Sequence, residues 1–210
     1  DHIVVEALMR LDGIDIQSDP KLKQAVQRHL SQLKDDPSQV KIIQKLKVAG
    51  MADRLVDLAA IWGENTQSVQ ALELAIEQGA LPSLTKSLTA KNPDERTLAL
   101  SKVLTLSNRK PVHDLRRTLI DDSSVSTVIK VDAVVGLSRS KGQHAHVIEL
   151  AKADKLPGEA KILIGVTLLN SEDEGNKKAA HALCQAIKTT QNPFTPLQVL
   201  WNNTGNATKD

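Results

Sequence analysis

The sequence predicts an all-α chain in which short helical pairs stack as a right-handed α-solenoid, with an irregular helical bundle as the alternative. Three observations lead there. Apolar residues recur at helical spacing almost from end to end of the 210 residues. The openings of successive pairs fall near Asn65, Pro93, Ser124 and Pro157, a step of about 30 residues, which is the period of stacked helix–turn–helix units. With two Trp, one Phe and no Tyr, the core must be filled by Leu, Ile, Val and Ala. These side chains suit close-packed helix layers and serve poorly for stacking on bases, sugars or planar cofactors.

Asp19 can cap the first clear helix and Pro20 can take its first position; Leu22, Ala25, Val26, His29, Leu30 and Leu33 then follow on one face. A second unit opens at Asp36-Pro37-Ser38, places Val40, Ile43, Leu46 and Lys47 at helical spacing, and is expected to stop at Gly50. Met51 to Trp62 forms a third, closed by Gly63. Asn65 to Gln78, ended by Gly79, pairs with Leu81 to Leu88. Asn92-Pro93-Asp94-Glu95 opens a helix running to Leu106, paired with Pro111 to Leu119. Ser126 to Leu137 pairs with Gln143 to Ala153, and Pro157 to Leu169 pairs with Asp173 to Ile187. Small residues deep in a first helix are followed by a bulky aliphatic four on, as in Ala99 with Val103 and Ala133 with Leu137. Ile3-Val4-Val5 and Ser123 to Val131 are β-branched enough to suggest strands. In the second, Asp132, Ala133 and Val134 continue in helical register, with Ser123 or Ser124 as a cap.

The domain division expected is a solenoid over 1–190 and a C-terminal cap with the start of a linker over 191–210. In the latter, Asn192-Pro193-Phe194-Thr195-Pro196 breaks the helix. Phe194 and Trp201 read as closing the core's end rather than holding a ligand.

Composition narrows the function classes. The 27 basic and 25 acidic residues leave a net charge of +2, a balance that argues against nucleic acid or an anionic membrane as partner. No apolar run reaches the roughly 18 residues of a membrane span. Cys184 is the one cysteine, so no intrachain disulfide can form. The chain opens on Asp1 with no leader pattern and reads as a piece of a longer polypeptide.

No catalytic, cofactor-binding or metal-binding residue emerges. His144 and His146 stand at i and i+2, which a helix turns about 200° apart, so they read as surface histidines. His181 and Cys184 share a face at i, i+3, but a structural zinc wants four ligands; with Ala180, Leu183 and Ile187 they read as a buried stripe. The acidic groups Asp35-Asp36, Asp121-Asp122 and Glu172-Asp173-Glu174 lie at helix junctions, where negative charge beside an N-terminus contributes about 0.3–1 kcal/mol. Arg116-Arg117, Lys177-Lys178, Lys41, Lys45, Lys86, Lys91 and Lys130 could align along one surface and track a phosphate backbone, yet acidic residues are interspersed throughout. No GxGxxG, phosphate loop or nucleophile elbow is present.

Short helical pairs at this period resemble HEAT repeats of the compact bacterial form. Two stretches carry a closer resemblance: His2-Ile3-Val4-Val5-Glu6-Ala7-Leu8-Met9-Arg10-Leu11-Asp12, and Lys155-Leu156-Pro157-Gly158-Glu159 leading to Leu168-Leu169-Asn170-Ser171. They look like the helical middle region of large planctomycete and verrucomicrobial proteins that join a sugar-dehydrogenase-like propeller, HEAT-like repeats and a c-type cytochrome domain. That family attaches haem through Cys-x-x-Cys-His, which is absent here, so no haem-binding residue carries over. The resemblance implies a non-catalytic scaffold, spacer or interaction module in an exported, periplasmic or cell-envelope protein. Its partners would be neighbouring domains or another protein, and haem c would sit in an adjacent domain. The competing expectation is a nucleic-acid-binding HEAT-like domain of the DNA glycosylase type, which requires a contiguous basic face.

Overall fold

The computed structural model describes residues 1–152, 158–169, 173–178 and 180. The expected cap and linker at 191–210, with Phe194 and Trp201, and the His181 and Cys184 pair lie outside the described residues. The described residues are all-α, with no strand among them. In chain order they form α1 (His2–Arg10), α2 (Pro20–Gln32), α3 (Ser38–Lys45), α4 (Ala52–Trp62), α5 (Thr66–Glu77) and α6 (Leu81–Leu88). There follow α7 (Glu95–Leu104), α8 (Lys110–Asp121), α9 (Thr127–Ser138), α10 (His144–Lys152) and α11 (Gly158–Leu169), with a 3-10 turn at Lys141–Gln143 ahead of α10.

The chain divides into two compact units, one of Asp1–Ser87 with Pro93–Val103, the other of Leu88–Asn92 with Leu104–Asp210. In the first, α1 packs on α2, α4 packs on α5, and α3 also lies against α5. Its core is aliphatic: Val26, Ile43, Leu55, Leu58, Ala71 and Leu72 are fully buried or nearly so. In the second, α9 is the hub and touches α8, α10 and α11. Val112, Leu119, Ile129, Val134, Leu137 and Ile164 fill the space between them.

Helix starts follow the sequence signals. The Asp19 carboxylate accepts from the Lys21 and Leu22 N–H groups ahead of Pro20, Asn65 caps α5 through Ser68 N–H, and Asp94 caps α7 through Thr97 N–H at 2.8 Å. Asp36 and Asp173 serve as expected, accepting from Ser38 N–H at 2.8 Å and Asn176 N–H at 3.0 Å. Bonds from the Ser38 N–H and hydroxyl hold the Asp36 carboxyl below the usual carboxylate range, and bonds from the Thr97 hydroxyl and then its N–H do the same for Asp94. Neither β-branched segment is a strand: α1 begins at His2, and α9 begins at Thr127 after a turn at 123–125, with Ser126 as its cap rather than Ser123 or Ser124.

Helix stops differ from expectation at one corner. α3 ends at Lys45 instead of running to Gly50, because Lys47 takes a left-handed backbone, φ 49°. Val48 N–H then reaches back to the Ile43 carbonyl at 3.0 Å and Lys47 N–H to Gln44 at 3.4 Å. This is the paired 6→1 and 5→2 closure of a Schellman motif, with Val48 and Ile43 buried together. The same closure ends α5, where Gly79 at φ 91° lets Ala80 N–H reach Ala75 at 2.9 Å. Glycine adopts that conformation freely; lysine does not.

The two corners make a matched test. Gly79→Ala should lower stability by about 1 kcal/mol, since open space surrounds the added Cβ and backbone strain is the whole cost. Lys47→Gly should raise it by about 0.5–1 kcal/mol. Urea denaturation midpoints at constant m-value check both signs.

Candidate functional site

The least ordinary group in the fold is Arg116, on the α8 stripe with Val112, Leu115 and Leu119. It is 1% exposed and ranks among the largest fully buried side chains. Expected on a basic surface, it is instead withdrawn into the core of the second unit. The physical reason is a cage of carbonyls. Its Nη2 donates to the Leu104 carbonyl, where α7 ends, and to the Ser107 carbonyl at 2.7 Å. Its Nη1 donates to the Gly136 carbonyl in the last turn of α9 at 3.1 Å, and to Nδ1 of His113 at 3.1 Å. One cation thus serves two helix C-termini, each carrying partial negative charge. Burial, and then the charge of Arg139, push the Arg116 pKa down to about 10, so it stays protonated at neutral pH. The Nε–H alone has no partner.

The cage also explains Gly136, a glycine inside α9. A Cβ there would lie 2.6 Å from the guanidinium carbon and 2.9 Å from Nη2. The interior glycine and the arginine in an apolar stripe were the two sequence signals that could have revealed the pair, had they been read together.

His144 also departs from expectation. It is buried, at 9% exposure, rather than a surface residue. Its Nε2–H donates to the Ser138 carbonyl at 2.8 Å, and its Nδ1 lies 2.9 Å from the Asn176 side-chain amide nitrogen. His146 is half-buried. Arg117 remains exposed, bound to Gln143 at 2.6 Å. Lys177 pairs with Glu174 at 2.6 Å. Asp35 takes Arg54 at 3.2 Å through its carboxylate and the Trp62 indole N–H at 2.8 Å through its carbonyl. In the first unit His29 stacks against His2, ring centroids 5.3 Å apart, with a buried Nδ1 that has no partner. No group of three or more His, Cys, Asp or Glu placed to share a metal ion occurs among the described residues. No described helix is long and apolar enough to cross a membrane.

Two depressions open on the first unit. One, of about 570 Å³, has Met9, Leu11 and Ile14 as its apolar floor and Lys41, Lys45 and Lys47 at its edge. The other, of about 550 Å³, is bounded by Leu30, Lys34, Asp35, Gln39, Met51 and Arg54. In the second, Arg54 donates to the Lys34 carbonyl and pairs with Asp35, so its charge is already matched.

Arg116→Met should destabilise the chain by about 2–4 kcal/mol, because three buried carbonyls lose donors worth about 1–3 kcal/mol each while the cost of burying the cation is removed. Gly136→Ala should destabilise it by about 1–3 kcal/mol through overpacking, although alanine is favoured by about 1 kcal/mol over glycine in an open helix. Chemical denaturation reads both. His113 is held below the usual histidine range, first by burial and then by the Arg116 guanidinium. The unfolded chain therefore takes up the proton first, and stability should fall as pH drops from about 6.5 towards the lower folded value. His113→Gln should flatten that part of the thermal-stability profile; an unchanged slope would remove His113 from the account.

The chain matches no protein-family model, and no curated protein or solved structure shows significant similarity to it.

Proposed function

We propose that the chain is a right-handed α-solenoid of HEAT-like two-helix repeats that works as a non-catalytic scaffold. It would hold neighbouring domains of its own polypeptide, or another protein, along its exposed helix faces. The observation that carries this reading is a ladder of corner-to-corner hydrogen bonds with a near-constant sequence step. In the first unit Gln17 donates to the Lys47 carbonyl, 30 residues on. Gln78 donates to the Val48 carbonyl, 30 residues back, and accepts from Met51 N–H, 27 back. In the second unit Arg139 reaches Thr105 across 34 residues, while Ser140 reaches Asn108 and Asn176 reaches His144 across 32. These six bonds join corners 27 to 34 residues apart. Helices also pack on the next but one, α3 on α5 and α9 on α11. Nearest-neighbour stacking is how a solenoid buries faces that no single repeat can bury alone.

The wider setting, an exported protein with a propeller on one side and a c-type cytochrome on the other, rests on the resemblance of 2–12 and 155–171. Within those stretches α1 and α11 are helical as that family requires. Small-angle scattering tests the architecture: a solenoid exceeds the radius of gyration of about 17 Å typical of a compact chain this long. Lysine cross-linking in the parent protein tests the role. Reproducible links from this chain to one other domain or protein are expected, and links confined to the chain itself would refute it.

A further inference from the structure

We infer that the depression floored by Met9, Leu11 and Ile14 docks a peptide segment carrying carboxylates beside aliphatic side chains. The inference deepens the scaffold reading, naming the partner chemistry of one face. The volume, about 570 Å³, falls in the range of ligand-sized pockets. Leu11 in its lining is 54% exposed, so apolar surface is offered to whatever enters.

The charge at the rim selects the sign of the partner. Lys45 is matched by Asp12 at 2.9 Å. Asp15 accepts from Gln17 N–H at 2.9 Å and keeps its negative charge. Lys41 and Lys47 are exposed and form no ion pair among the described residues, so lysines outnumber carboxylates in the lining and the excess charge is positive. Lys41, on the exposed side of α3, and Lys47, just past its end, are the two lysines left to meet carboxylates of a docking segment.

Lys47 adds a second, independent observation. The negative end of α3 accounts for a cation near its C-terminus, and Lys45 meets that need. It does not account for a lysine in the left-handed backbone, where glycine would fit without strain. Lys34, the other non-glycine residue with positive φ among the described residues, sits at the edge of the second depression. Strain held at a groove edge points to a side chain kept for contact rather than for folding. A bare phosphate or a nucleic-acid backbone is poorly served, because the end of α3 presents carbonyls rather than N–H donors and the floor is apolar.

The test uses the whole chain and fluorescein-labelled short peptides of Glu and Leu, with Gln-for-Glu and Ser-for-Leu controls, read by anisotropy. The Glu/Leu peptide should bind, weaken with salt, and lose about tenfold in affinity in either control. Lys41→Glu with Lys47→Glu should abolish binding while leaving the melting curve intact. Lys47→Gly should raise the melting temperature yet weaken binding several-fold, which a purely structural lysine would not do. Indifference to Glu→Gln, retention of binding in the double variant, no binding by any acidic-aliphatic peptide, or partition onto anionic phosphatidylserine vesicles instead, would each overturn the inference. Cross-links that map to another face would sink the groove and spare the scaffold. Binding here by a chain with the radius of a compact bundle would do the reverse.

Discussion

At the ends of α2, α3, α7 and α9 carbonyl groups face neighbouring segments, and the need to give those carbonyls donors constrains the residues around them. The last turn of a helix cannot bond its own oxygens. Left buried and unmatched, each costs about 1–3 kcal/mol. Here the donors come from side chains outside the helix that ends: Gln17 and Gln78, each 30 residues from the carbonyl it meets on the corner after α3, His144 on the end of α9, and Arg116 on the ends of α7 and α9. Apolar burial holds the layers together, while this polar seam fixes their register.

Arg116 is the extreme case. A neutral amide suffices where one or two carbonyls converge, as at Gln78. Where Leu104, Ser107 and Gly136 converge, a planar cation with several N–H groups is the side chain that reaches them all. The cage then dictates its surroundings. Gly136 is excluded from carrying a side chain, and His113 must offer an unprotonated nitrogen. No carboxylate bonds to the guanidinium; helix-end dipoles take that role. The basic surface that nucleic-acid binding would need is correspondingly poorer by one arginine.

A fold that spends its polar groups on corners leaves its chemistry-bearing residues committed to structure. His144, Asp36, Asp94 and Arg54 each hold a backbone group or a fixed partner. What remains unspent is surface, and the groove beside α3 is the place where apolar floor, excess positive charge and backbone strain coincide. The proposed binding role rests on that coincidence.

The sequence by itself determined the all-α class, nearly every described helix position, and the capping residue Asp19, and it marked the helix openings where Asn65 and Asp94 stand. These depend on local physics: periodic burial, side-chain bonds to nearby N–H groups, and proline at a helix start. It did not reveal that α3 stops at Lys45, because a left-handed lysine has no local signature, whereas Gly50 does. Nor did it place Arg116 or His144 inside. Arginine and histidine are polar by composition and become core residues only when distant carbonyls close around them, a condition that exists once the layers have met.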